Sequence, residues 1–135
     1  MNKLTIYTDG GARGNPGPAA IGIVIFDAAG KKIKTVGKYI GTATNNEAEY
    51  QALIAALEQA TELNADELEC FLDSELVVKQ LTGQYKVREE RLKPLVMDVL
   101  RLKNKFAKIY FHHFLREKNK LADKLVNDAL DKEGF

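Results

Sequence analysis

The chain has 135 residues, 45% of them hydrophobic and 29% charged, so it can bury one core and is not intrinsically disordered. A formal net charge of +1 predicts no general attraction to polyanions, so any such attraction must come from a local patch. The single cysteine, Cys70, excludes an intrachain disulfide, and no apolar run reaches the roughly 20 residues of a membrane span. With no leader-like start, a cytoplasmic protein forming one domain over residues 1–135 is expected. No apolar stripe is left over for a partner copy, so a monomer is expected too.

Lys3 to Asp9 is β-prone and predicts a first strand that ends on a carboxylate. Residues 10–18 carry four glycines and two prolines and predict a loop of bare backbone. Ala20 to Phe26 and Lys31 to Ile40 predict a hairpin turning at residues 27–30. After a linker, Thr44 or Asn45 caps a helix whose strongest stretch is Ala48 to Leu63. Glu67 to Leu72 predicts a fourth strand, delivering Asp73 at its end, and Ser74 to Leu81 a short helix. A basic linker follows, then a helix over Glu89–Lys103 whose start is blurred by Pro94. Lys108 to Phe114 alternates as a fifth strand, Leu115 to Asn119 predicts a polar loop, and Lys120 to Lys132 a last helix. Three strands in sequence suit an antiparallel meander. Strands four and five, reached through helices, should run parallel to strand one in a mixed α/β sheet.

Asp9 and Asp73 therefore end two strands at the edge where open α/β sheets place ligands. At 100° per residue, Glu49 falls among Leu53, Ala56 and Ala60 on the apolar stripe of its helix, whereas Glu47 falls on the far side as a solvated charge. An inward carboxylate needs neutralising. A metal ion would do this, and so would a lysine or an escape to water at the rim. Helical phase does not single out Asp123, which lies off the edge of its stripe. Clustered acidic oxygens without Cys/His ligands suit Mg²⁺ or Mn²⁺ rather than zinc. A pair of such ions can hydrolyse a phosphodiester.

The segments Tyr7-Thr8-Asp9-Gly10-Gly11, Gly14-Asn15-Pro16-Gly17-Pro18, Thr44-Asn45-Asn46-Glu47-Ala48-Glu49-Tyr50, Asp73-Ser74, Arg116-Glu117-Lys118-Asn119 and Ala122-Asp123 together resemble the type 1 ribonucleases H, over essentially the whole chain. The resemblance implies a ribonuclease H-like fold and an endonuclease that uses two Mg²⁺ ions. Such an enzyme cuts the RNA strand of RNA/DNA hybrids to 3′-hydroxyl and 5′-phosphate ends. It implies Asp9, Glu49, Asp73 and Asp123 as catalytic metal ligands, and so selects Glu49 over Glu47. It also implies substrate contacts from Gly10, Gly11, Arg13, Gly14, Asn15, Thr44, Asn45 and Asn46, with recognition by minor-groove shape and 2′-hydroxyls. For Thr44 and Asn45, helix capping is the competing role.

Two departures stand out. Residues 82–90 are too few for the basic, tryptophan-bearing helix of many bacterial members, so weaker and salt-sensitive hybrid binding is expected. Lys86, Arg88 and Arg91 are left as a smaller basic patch or a solvated linker. The last loop carries Arg116 where several members have a histidine, as in the branch reading Arg-Glu-x-Asn, and a supporting catalytic role is expected for it. Some members of that branch also cut double-stranded RNA. His113, alternating with Ile109 and Phe111, is expected to be a partly buried structural residue.

Overall fold

The computed structural model describes residues 2–135. Its elements run β1 (Lys3–Ala12), β2 (Gly17–Phe26), β3 (Lys32–Ala43), α1 (Asn45–Glu62), β4 (Glu67–Leu72), α2 (Glu75–Leu81), α3 (Lys93–Lys103), β5 (Lys108–His113), a single 3₁₀ turn at Arg116–Lys118, and α4 (Lys120–Lys132). The five strands form one sheet in the order β3-β2-β1-β4-β5. β1, β2 and β3 are antiparallel neighbours, and β1-β4 and β4-β5 are parallel, as the connections require. None of the described helices is long and apolar enough to cross a membrane.

The first hairpin is longer than the glycine and proline content suggests. β1 and β2 stay paired as far as Ala12↔Ala19, and Arg13 N–H closes the turn on Pro18 C=O at 2.8 Å. Only the tip remains as loop. Gly14 there takes φ +101°, a conformation open to glycine, and the Asn15–Pro16 bond is cis. β3 likewise runs on to Ala43. α3 starts at Lys93 rather than Glu89, with Pro94 in its first turn, where the missing N–H costs nothing.

Helices cover both faces. α1 lies along β1 and β2 with Ala48, Ala52, Leu53, Ala56, Leu57 and Ala60 buried, its alanines permitting a short helix-to-sheet distance. The main core between them holds Leu4, Ile6, Ile21, Ile23, Ile25, Tyr50 and Leu68, with Cys70 fully buried beside Ile6 in the β1–β4 register. Burial pushes the Cys70 thiol well above its ordinary pKa.

α4 crosses β2 and β3 on the opposite face. Two strand glycines let it sink. A Cβ on Gly22 would fall onto the Ala122 carbonyl, with Leu125 Cβ only 3.2 Å away, and one on Gly37 would meet Leu125 C=O at 3.1 Å. Gly22 pairs directly with Asp9, so this close approach sets the start of α4 beside the end of β1.

His113 departs from expectation. It ends the edge strand β5 and is exposed. The half-buried histidine is instead His112, which stacks on Phe71 and pairs with Glu69.

Gly22→Ala should destabilise the fold by about 3 kcal/mol, because the obstacle is helix backbone and cannot rotate away. Gly30→Ala has open space but a φ of +83°, and should cost only about 1 kcal/mol. Urea melts of the two variants give the comparison.

Candidate active site

The last parallel pair between β1 and β4 is Thr8↔Leu72, so Asp9 and Asp73 are the next residues of adjacent strands at the same edge. Glu49 reaches them from the first turns of α1. A Cβ on Gly10 would collide with the Ala48 carbonyl and lie 2.6 Å from Glu49 N, so glycine is what allows α1 to touch β1 here. Glu49 then accepts a 2.5 Å hydrogen bond from Gly10 N–H. One carboxylate oxygen from each of Asp9, Glu49 and Asp73 lies within 4.8 Å of the others. Asp9 is 6% exposed and Glu49 8%, and these are the buried acidic residues among those described. Asp123, on the first turn of α4, stands near Asp9 and lines the same cavity of about 460 Å³, but outside the tight trio.

The electrostatics follow from this crowding. Burial, reinforced by Asp73, raises the Asp9 carboxyl from 3.8 to about 7. Burial, reinforced by Asp9 and then Asp73, holds Glu49 well above the usual carboxylate range, with Gly10 N–H opposing the rise. Buried acids that cannot all ionise together, with oxygen-only donors, fit a hard divalent cation. Asp9, Glu49 and Asp73 are the residues placed to hold one, with Asp123 at the margin.

Several residues expected at the substrate have clear structural occupations. Thr44 caps α1 by accepting from Glu47 N–H at 3.1 Å, while the Glu47 carboxylate accepts from Thr44 N–H at 2.9 Å, a reciprocal box that corrects the picture of Glu47 as a merely solvated charge. Asn15 Oδ1 accepts from Asn45 N–H and Asn45 Oδ1 from Ala12 N–H, both at 2.9 Å, tying the hairpin tip to the helix start. Among the described residues the Nδ2 groups of Asn15 and Asn45 have no protein acceptor. Asn46, Gly10 and Gly11 line the cavity, whereas Gly14 lies exposed in the hairpin tip. Arg13 also borders the cavity but is engaged by α4: its guanidinium pairs with Asp131 at 2.7 Å, donates to Asn127 Oδ1 at 3.3 Å, and meets the Phe135 carbonyl. Arg116 is 80% exposed by side chain, with Nη2 3.8 Å from Asp123 Oδ1.

One buried polar residue stands in the Arg-Glu-x-Asn motif without a role assigned to it there. Asn119 is 2% exposed and donates from Nδ2 to Thr8 C=O at 2.7 Å and toward Asp73 Oδ2 at 3.3 Å. The sequence places it at the end of a polar loop and in that motif, and neither marks its inward turn.

The sequence matches the family described as "Reverse transcriptase-like" over residues 7–129. It is 45% identical over 129 residues to the ribonuclease HI of Halobacterium salinarum, covering 96% of this chain and 65% of that protein. The crystal structure of RNase H1 from that archaeon superposes with a TM-score of 0.94 at 43% identity, covering 96% of this chain and 98% of the other. The chain belongs to the ribonuclease H family. A second ribonuclease H1, from compost metagenome and crystallised with an RNA/DNA hybrid, gives a TM-score of 0.90 at 48% identity over 96% of this chain and 98% of that one. A bifunctional protein of Mycobacterium tuberculosis is 43% identical over 130 residues, or 96% of this chain, which spans only 36% of that relative's length.

The raised pKa of Asp9 has a signed consequence for this ribonuclease H fold. An acid whose folded pKa exceeds its unfolded one gives stability that is complete below about pH 4 and lost as pH rises through about 7. In EDTA, Asp9→Asn should therefore gain on the wild type across that window, reaching on the order of 3 kcal/mol at pH 8. Excess Mg²⁺ should close the gap by stabilising the wild type alone, as read by thermal melting at each pH.

Proposed function

We propose that this chain is a ribonuclease H that hydrolyses the RNA strand of RNA/DNA hybrids, leaving 3′-hydroxyl and 5′-phosphate ends. The observation that carries the proposal is the meeting of Asp9, Glu49 and Asp73 within 4.8 Å at the sheet edge, in a cavity also lined by Gly10, Gly11, Asn45 and Asn46. Asp9, Glu49, Asp73 and Asp123 are the ligand set for two Mg²⁺ ions, with Mn²⁺ as substitute. When bound, those ions supply Lewis acidity toward the attacking water and the leaving ribose oxygen.

The chain's own residues orient the substrate. Gly11, beside the carboxylates, offers its backbone to the RNA strand, while Gly10, whose free side is taken by α1, lines the same cavity beneath it. Asn15 and Asn45 use their side-chain carbonyls to hold the loop, which leaves their amide N–H groups to donate to base edges and 2′-hydroxyls, with Asn46 beside them. The Thr44 hydroxyl accepts a bond from the helix and keeps its own proton for a phosphate oxygen of the DNA strand. Arg13 serves mainly to pin the hairpin tip of Gly14 and Asn15 to α4. Arg116, long and exposed over Asp123, supports departure of the cleaved phosphate. The catalytic unit is residues 1–135 acting as a monomer in the cytoplasm.

Strand-labelled hybrid, double-stranded RNA and double-stranded DNA, each with Mg²⁺ or EDTA, test this. The expected result is cleavage of the RNA strand of the hybrid with Mg²⁺ and none with EDTA. Intact hybrid under all conditions would sink the proposal, and the double-stranded RNA arm decides whether that substrate is also taken.

Asp9→Asn, Asp73→Asn and Glu49→Gln should each lower kcat by at least about 100-fold, since each removes charge from the cluster. Glu47→Gln keeps a side chain that can complete the capping box and should stay within about twofold of wild type. Without a basic protrusion, hybrid affinity should fall steeply with salt, and a plot of log KM against log salt concentration measures the slope.

A further inference from the structure

We infer that Asn119 is a positioning residue for Asp73, acting through the loop that leads into α4; the inference rests on the carboxylate site proposed above. Asn119 occupies the N-cap of α4, a place where asparagine usually bonds the helix's own free N–H groups. It makes no such bond. Its side chain turns back into the protein instead, with Nδ2 2.7 Å from Thr8 C=O and 3.3 Å from Asp73 Oδ2, and the residue is 2% exposed.

Both partners are acceptors, so the amide nitrogen has to be the atom facing them. The last pair of the β1–β4 ladder is Thr8↔Leu72, immediately before Asp9 and Asp73. The first bond fixes the Asn119 amide to the Thr8 carbonyl at that point. The second N–H of the same amide then lies against Asp73. Anchored at Thr8, it restricts rotation of the Asp73 carboxylate and so decides where the other oxygen, Oδ1, points.

The choice of donor matters. A lysine or arginine at this spot would orient Asp73 equally well but would cancel negative charge that a divalent cation needs. A neutral amide orients without competing. Hydrogen-bonding partners of ligating carboxylates typically change metal affinity by about 10–100-fold when removed.

The test uses the full chain and the variants Asn119→Ala and Asn119→Leu, with Mn²⁺ binding followed by titration calorimetry in the absence of nucleic acid. Binding should weaken by about tenfold or more in both. On hybrid at saturating metal, kcat should fall while KM stays within about twofold. Asn119→Leu is close in size, lacks both donors and adds no charge, so it carries the test if Asn119→Ala fails to fold. A variant that melts earlier in EDTA yet binds Mn²⁺ as the wild type does would overturn the inference, leaving Asn119 as packing alone. A wild type that binds Mn²⁺ but leaves hybrid intact would count against the proposed activity and not against Asn119. A wild type that binds no Mn²⁺ would remove both.

Discussion

Two contacts of bare backbone set up everything else at the site. Gly10 lets the first turns of α1 rest on β1, and Gly22, which pairs with Asp9 across the hairpin, lets α4 rest on β2. A single methyl group at either position would strike a peptide carbonyl. The helices are thereby registered against the same short length of sheet from opposite faces. Glu49 arrives from one, Asp123 from the other, and Asp9 and Asp73 from the strand ends between them. Hydrophobic burial drives α1 and α4 onto the sheet, but it is tolerant of sliding. Glycine contact is not, and it converts general packing into a fixed placement of charge.

That placement stores electrostatic work. Asp9 and Glu49 are buried beside one another with Asp73 alongside, and the observed compensation is small: one backbone N–H on Glu49 and one amide near Asp73. No lysine or arginine among the described ion pairs reaches the trio, since Arg116 contacts the more open Asp123 and Arg13 is turned to Asp131. A site left this negative favours the charge that comes to it over any charge built into the fold. The surrounding polar groups are then free for geometry: the capping box fixes where α1 begins, and Asn15 and Asn45 lash the hairpin tip to that same point.

Much of this was legible from residue order, for identifiable reasons. The meeting of Asp9 and Asp73 at one edge followed from the parallel pairing of their strands, although β1 itself runs on past Asp9 to Ala12, and the inward aim of Glu49 followed from its phase among Leu53 and Ala56. What escaped was information that is not local. Glycine and proline between residues 10 and 18 read as loop, yet cross-strand bonds carry β1 and β2 well into that segment. Asp123 lies at the edge of its helix's apolar stripe, so no periodicity marks it; its place depends on how deep α4 sits over Gly22. Arg13 was expected at the substrate and Asn119 only at the end of a polar motif, because their partners, Asp131 and Thr8, are more than a hundred positions away. His113 was misjudged because strand alternation says nothing about whether an edge strand's last residue has cover.

The sealed position of Cys70 has a practical side. Its sulfur sits in the main core between strands that carry the two acidic ends, with no exposed surface and a thiol held in its protonated form. Fraying of the termini or of the hairpin tip would leave it untouched; only an opening of the core around β4 would bring a reagent to it. The chain thus contains a native gauge of global opening, and the pace at which an alkylating agent consumes that one thiol would time how often the whole core comes apart.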